Sequence, residues 1–194
     1  MPTVANTDIK VCSRASILMG GLPISSFAEG TAEADVCEAM YEDVARSSLT
    51  NTRWGFATDQ AVMSRLASAP TGRWSAAYQL PSNTLTVSAV TINGSPIEFD
   101  TYGDKIFCDA SATEELIVDY IFRAAESTWP SYFTVAVEYT MASILAVSVA
   151  RDASLSQLLE QKAVFMMTQA RNRDSQRQTT QRLNTSRFIA QRRS

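Results

Sequence analysis

The sequence predicts an α+β fold: a mainly helical body of about four helices, an inserted antiparallel β-meander and an extended basic C-terminal arm. Three observations carry this reading. Apolar residues recur at three- and four-residue spacing before residue 50 and again after residue 130, as on one face of a helix. Between residues 74 and 123 they alternate instead, as in half-buried strands. Residues 171–194 then hold seven Arg against a single acid, Asp174, with few apolar side chains. The chain accordingly divides into N-terminal helices of the body (1–73), an antiparallel β-domain (74–123), C-terminal helices of the body (124–170) and an Arg-rich arm (171–194). With 194 residues, 45% of them hydrophobic, there is enough apolar material for a sizeable core.

Residues 8–19 place Ile9, Cys12, Ile17 and Leu18 in a weak helical pattern that ends at Gly20-Gly21, with Pro23 beyond. A short first helix is expected there. The stretch Ala32–Leu49 puts Val36, Cys37, Met40, Tyr41, Val44 and Ser48 on one face. Thr31 is its N-cap candidate, and Glu33 and Asp35 sit in the first turn, where the helix dipole favours acids. In the β region, four alternating runs are expected as strands of a meander: Leu85-Val87-Ala89, Ile97-Phe99, Ile106-Cys108 and Leu116-Val118-Tyr120-Phe122. Asn93-Gly94-Ser95 and Tyr102-Gly103-Asp104 supply the positive backbone angles that tight reversals need. Strand edges at 85–93 and 116–123 would require cover, which neighbouring subunits could provide.

Pro130 suits the first turn of a third helix, with Phe133, Val137, Met141, Ile144, Leu145 and Ser148 as its buried stripe to about Arg151. Ser154 and Gln157 match a capping box for a fourth. Leu155, Leu158, Leu159, Lys162, Ala163, Met166, Met167 and Ala170 form its amphipathic face. Helical continuation to about Thr180, followed by an extended hook, is expected beyond it.

Composition excludes much chemistry. The chain has no His, which removes Ser-His and Cys-His nucleophile pairs, imidazole bases and His metal sites. Cys12, Cys37 and Cys108 are odd in number and show no CxxC spacing, so neither a zinc knuckle nor a disulfide framework is indicated, and a reducing compartment is the natural setting. No run approaches the roughly 20 apolar residues of a membrane-spanning helix, and MPTVANTDIK lacks the order of a signal peptide. Gly20-Gly21 is followed by Leu-Pro, a helix terminator instead of a phosphate loop. Asp100, Asp104 and Asp109 read as solvated turn residues and lack calcium-loop spacing. Glu114 and Glu115 read as surface charges before a strand, since neighbours in a strand face opposite ways. Met63, Met141, Met166 and Met167 are expected as core filler, and Trp54, Phe56, Trp74 and Tyr78 as packing between helices and sheet. No catalytic, cofactor-binding or metal-binding residue is expected.

Charge is divided unevenly. Residues 171–194 carry a net +6, whereas residues 1–170 hold 10 basic and 19 acidic side chains, a net −9. An acidic body with a basic tail suggests that the tail meets a partner the body does not. One reading of the tail is nucleic-acid binding by a small protein, with affinity that falls steeply with salt. The other is a protein-docking arm: Arg171, Arg173, Arg177, Arg182, Arg187, Arg192 and Arg193 offer bidentate bonds to carboxylates, and Leu183, Phe188 and Ile189 a small apolar anchor.

The order of motifs resembles the tail tubular protein A family, the head-to-tail adaptor or gatekeeper of short-tailed phages. The resemblance lies in Ile17-Leu18-Met19-Gly20-Gly21-Leu22-Pro23-Ile24-Ser25-Ser26-Phe27, then the Ala/Glu-rich helix 31–50, Trp54-Gly55-Phe56-Ala57-Thr58, and Tyr78-Gln79-Leu80-Pro81-Ser82-Asn83-Thr84-Leu85. It spans about Ile17 to Arg171. Many relatives carry an acid where this chain has Gly21, and the Arg-rich tail matches no family pattern. The resemblance implies a structural virion protein without catalytic residues, assembled in the host cytoplasm and placed at the head–tail junction. It further implies a homo-oligomeric ring of about twelve copies between a portal protein and a tail nozzle protein. DNA would pass through its channel without specific binding, and an acidic body suits a lumen that repels phosphate. In that setting the arm is expected to dock on the portal.

Overall fold

The computed structural model describes residues 6–68, 70 and 72–176 and is mixed α+β, with four α-helices and antiparallel sheets. Helix α1 (Asp8–Met19) starts at Thr7, whose hydroxyl accepts the Lys10 N–H. It ends in a paired turn: Gly20 adopts φ +94°, its N–H reaches the Ile17 carbonyl, and the Gly21 N–H reaches that of Ser16. A Cβ at Gly21 would lie 2.8 Å from Ser16 Oγ and 2.9 Å from Met19 Cε, so those two side chains would have to shift to admit a larger residue. Helix α2 (Ala32–Thr50) is capped by the Thr31 hydroxyl, which accepts the Ala34 N–H at 3.3 Å. Helix α3 (Ser131–Ser148) follows Pro130, and helix α4 (Ala153–Ser175) follows Asp152.

The helical core gathers Val11, Cys12 and Ala15 of α1, Cys37, Tyr41, Val44, Ala45 and Leu49 of α2, and Leu159, Met167 and Ala170 of α4. They pack with Phe133, Val137, Met141 and Leu145 of α3, all four fully buried. Phe133 is a hub, with the rings of Trp54, Phe56 and Trp129 at 5.0, 5.0 and 4.9 Å from its own. The indoles are also fixed by hydrogen bonds, Trp54 Nε1 to the Ser48 carbonyl and Trp129 Nε1 to that of Ala124.

Several positions differ from the expected stripes. Met40, Leu158 and Ile17 are 38%, 54% and 54% exposed, and Ser148 and Lys162 are exposed. Each lies at the margin of its apolar arc, where three- and four-residue spacing cannot tell a core residue from its neighbour one helical step away. The N-cap of α4 is Asp152 and not Ser154: its carboxylate accepts the N–H groups of Ser154 and Leu155. Both residues are good caps, and the carboxylate also complements the helix dipole.

Among the described residues, seven strands form two antiparallel sheets. They are β1 (Thr58–Met63), β2 (Ala76–Gln79), β3 (Thr84–Ile92), β4 (Ser95–Pro96), β5 (Phe99–Tyr102), β6 (Lys105–Cys108) and β7 (Leu116–Phe122). One sheet has the order β1-β7-β3-β4, the other β2-β6-β5. Three of the four expected runs fall in β3, β6 and β7, whereas Ile97 lies between β4 and β5 and only Phe99 of the fourth run is in a strand; the strands do not form a meander, and residues 116–122 are internal to their sheet. Three strands went unseen in the pattern: β1 bunches Ala61, Val62 and Met63 without alternation, β2 is the weak strand former Ala-Ala-Tyr-Gln, and β4 is only the dipeptide Ser95-Pro96 at the expected turn. The positive angles fall at Asn93, Gly94 and Gly103, as the turns require.

Both sheets contribute to a second core of Met63, Tyr78, Val90, Ile92, Ile106, Cys108, Leu116, Val118 and Tyr120. Phe122, at the end of β7, packs against this core and the helical one. Trp54 and Phe56 thus belong to the helical core and Tyr78 to the sheet core. Met63, Met141 and Met167 are buried and Met166 half-buried, as expected of filler.

Leu145→Ala, which empties the middle of α3, should lower stability by about 2–5 kcal/mol in urea unfolding. A loss under ~1 kcal/mol would show that neighbouring side chains close the space.

Candidate partner-binding surface at the end of α4

The buried face of α4 runs Leu159, Ala163, Met167, Ala170 and then Asp174, the one acid of the basic segment. Asp174 is only 5% exposed. One carboxylate oxygen accepts the Gly55 N–H and the other accepts the Tyr132 hydroxyl, each at 2.8 Å. Gly55 lies between two rings of the Phe133 hub, and Tyr132 is in the first turn of α3. The last turns of α4 are thereby pinned to the body. The signal was available: Asp174 extends the 159-163-167-170 spacing by four, so the stripe does not stop at Ala170 but ends in a polar anchor.

Arg171 and Arg173 are both exposed and leave α4 on opposite flanks of this anchor. Arg171 borders a groove of about 430 Å³ between α2, α3 and α4, floored by Ser143, Ile144 and Met167. Arg173 borders a smaller one of about 280 Å³ beside Tyr132 and Val135. On the outward side of α4, Leu158 and Phe165 are each more than half exposed, while the exposed Val164 borders the Arg171 groove. Helix α4 continues to Ser175, whereas Arg177, Arg182, Leu183, Arg187, Phe188, Ile189, Arg192 and Arg193, and with them the expected helix to Thr180 and hook, lie outside the described residues.

A second charged centre joins the sheet to the helices. Arg123, just past β7, donates to both carboxylate oxygens of Glu42 on α2 and to Glu126, and lies over the Trp129 ring. Tyr41 donates to the same Glu126 oxygen at 3.0 Å. Burial works against the charge on Arg123, but Glu42 and Glu126 outweigh it and hold the guanidinium above its ordinary value. Arg123, with a smaller share from Arg46, holds Glu42 below the usual glutamate value. Burial, then Glu126, pushes the Tyr41 phenol up, so it stays a neutral donor. Between α1 and α3, Glu138 is raised by burial despite its 2.9 Å pair with Arg14.

The turn residues Asp100, Asp104 and Asp109 are not merely solvated. Asp100 accepts from Arg73, Trp74 Nε1 and the Tyr102 hydroxyl, Asp104 from Gln79, and Asp109 from the Ser75 N–H. Glu114 accepts the Ser111 N–H. Among the described residues, no group of three or more Cys, Asp or Glu could hold a metal ion, and no helix is long and apolar enough to cross a membrane. Neither the models of known protein families nor the curated proteins compared with this chain match it.

Asp174→Ala leaves the Gly55 N–H and the Tyr132 hydroxyl without their acceptor and should cost about 1–3 kcal/mol. The same variant should lose amide-exchange protection in the last two turns of α4; unchanged exchange there would show that the anchor does not hold the helix end.

Because the folded-state value of Glu42 is depressed, its contribution is complete above the unfolded value, about 4.3. It is lost as pH falls through the lower folded value. Thermal unfolding of the wild type and Glu42→Gln should therefore converge on the acid side and diverge toward neutrality. Parallel curves would show that Arg123 draws no stability from that carboxylate.

Proposed function

We propose that the chain is a structural subunit of a phage virion, a head-to-tail adaptor whose copies form a ring between portal and tail nozzle. The observation that carries the reading is the root of the basic segment. A carboxylate buried beneath α4 fixes the point from which residues 177–194 leave, and Arg171 and Arg173 flank it. Residues 177–194 carry a net +5 and residues 1–176 a net −8, and a basic segment rooted at a fixed point of an acidic body is suited to a docking arm. The order of motifs from Ile17 to Leu85 supports the family assignment, and the mixed helix-and-sheet architecture accords with it.

In this reading Arg177, Arg182, Arg187, Arg192 and Arg193 pair with carboxylates of the portal, while Leu183, Phe188 and Ile189 supply the apolar anchor. The apolar side of α4 and the outer strands β1, β4, β2 and β5 are the surfaces available to ring neighbours and the nozzle. The acidic body faces DNA in transit without holding it.

Removal of residues 177–194 leaves the Asp174 anchor intact, so the truncated protein should fold with unchanged thermal stability yet fail to attach to portal-bearing heads. Phe188→Ala should weaken attachment. Undiminished docking of the truncated protein would defeat the portal-arm reading. Affinity for duplex DNA that is lost with the arm and falls steeply with salt would favour nucleic-acid binding in its place.

A further inference from the structure

The adaptor reading leaves four outer strands to partners, but their edges are not equivalent. The Phe122 N–H donates to the Ala57 carbonyl, a phase that turns the backbone groups of Thr58, Gln60 and Val62 outward on β1, and there Asp59 Oδ1 accepts the Gln60 N–H at 2.8 Å. Strand β4 is two residues long, and Pro96 has no N–H to offer. On β2 the Leu66 N–H already donates to the Ala77 carbonyl, and Arg65 bridges to Tyr78. Strand β5 has none of these covers. Its turn, Gly103-Asp104, closes on the pair Tyr102 and Lys105, so Tyr102 and Asp100 bond to β6 while the N–H and C=O groups of Phe99 and Thr101 point away from it. Among the described residues no backbone group outside the strand bonds to them, and Thr101 is exposed.

Side chains around this edge select the occupant. At the start of β5 a groove of about 550 Å³ is lined by Glu98, Asp100 and Asp109, by the single base Arg73, and by the apolar surfaces of Trp74 and Ile97. Arg73, the Trp74 indole and the Tyr102 hydroxyl all donate to Asp100, so that carboxylate is held by its own sheet and does not guard the edge. We propose that β5 is a docking edge for an extended segment of a protein partner, one that alternates Lys or Arg with β-branched or aromatic residues and adds a fourth strand to the β2-β6-β5 sheet. Backbone bonds to Phe99 and Thr101 fix its register, and its basic side chains meet Glu98 and Asp109. A second copy of the body fits poorly, because its own open strands β1, β4 and β5 carry Asp59 and Asp100 and no base. The inference rests on the adaptor reading only in taking the outer strands as partner surfaces.

The test follows amide exchange by NMR in the isolated full-length chain, without portal or nozzle, and uses a synthetic peptide of alternating Lys and Val as the probe. In the free chain the Phe99 and Thr101 amides should exchange near the rate of an open chain, while those of Asp100 and Tyr102 are protected. With the peptide, Phe99 and Thr101 should slow by about tenfold or more, and the effect should shrink as salt is added. A peptide of alternating Glu and Val should give no slowing, and neither should one with Pro in place of Val, which keeps the charge but lacks half the N–H donors. Thr101→Pro, at an edge position where Pro is tolerated, should keep the wild-type melting temperature and lose peptide binding. The proposal is overturned if Phe99 and Thr101 are already protected in the free chain, where the basic arm or a second copy would be the occupant. It is equally overturned if the Lys peptide leaves their exchange unchanged or the Pro peptide slows it as much. These wild-type measurements stand even where Thr101→Pro fails to fold, and none depends on whether the arm docks on the portal, so the two readings fail separately.

Discussion

Everything in the helical half hangs on Phe133. Its ring is the meeting point of a loop after α2, the turn before α3 and α3 itself, and no other side chain touches three aromatic rings among the described residues. Edge-on and tilted contacts of this kind have directional preferences that aliphatic packing lacks. Once Trp54 is placed against Phe133, Gly55 presents its N–H at a fixed position and angle. The carboxylate beneath α4 can then be satisfied, so the end of the longest helix is located by a contact more than a hundred residues away in sequence.

Acidic side chains serve the structure in a way that net charge conceals. Glu29, Asp109, Glu114, Asp152 and Asp174 each accept backbone N–H groups in loops or at a helix start. Ser25 holds Glu29, and Ser111 holds Glu114, below the ordinary carboxylate range. Some of the chain's acidic side chains thus serve as caps that replace water as acceptor for turn amides. Other carboxylates, such as Glu38 and Glu160, stand exposed on α2 and α4.

Helices were legible because their period, caps and terminators agree: Thr31, Pro130 and Gly20-Gly21 all stand where the chain turns. Sheet pairing was not, since alternation marks a strand but says nothing about its partner. That β7 lies between β1 and β3 depends on contacts as distant as Thr58 with Ile121. Register was obscured further by two irregularities in β3, between Thr84 and Thr86 and between Val87 and Ala89, which shift the partners and break the face-to-face count. At the candidate site, the exposed Arg residues were readable from charge alone. Asp174 was not, because composition counts it as one acid among seven Arg while geometry buries it.

Phe122 gives the two halves a shared fate. It is packed against both cores, and its neighbours bind across the same boundary, its own N–H to the Ala57 carbonyl and Arg123 to Glu42. Losing either half would strip one side of that ring and uncover apolar surface of the other. Helices and sheets should therefore unfold as one cooperative unit, in a single melting transition whose enthalpy reflects the whole body. A sheet joined to the helices by a linker alone could open by itself; here the shared ring and the bonds beside it couple the opening of one half to the other.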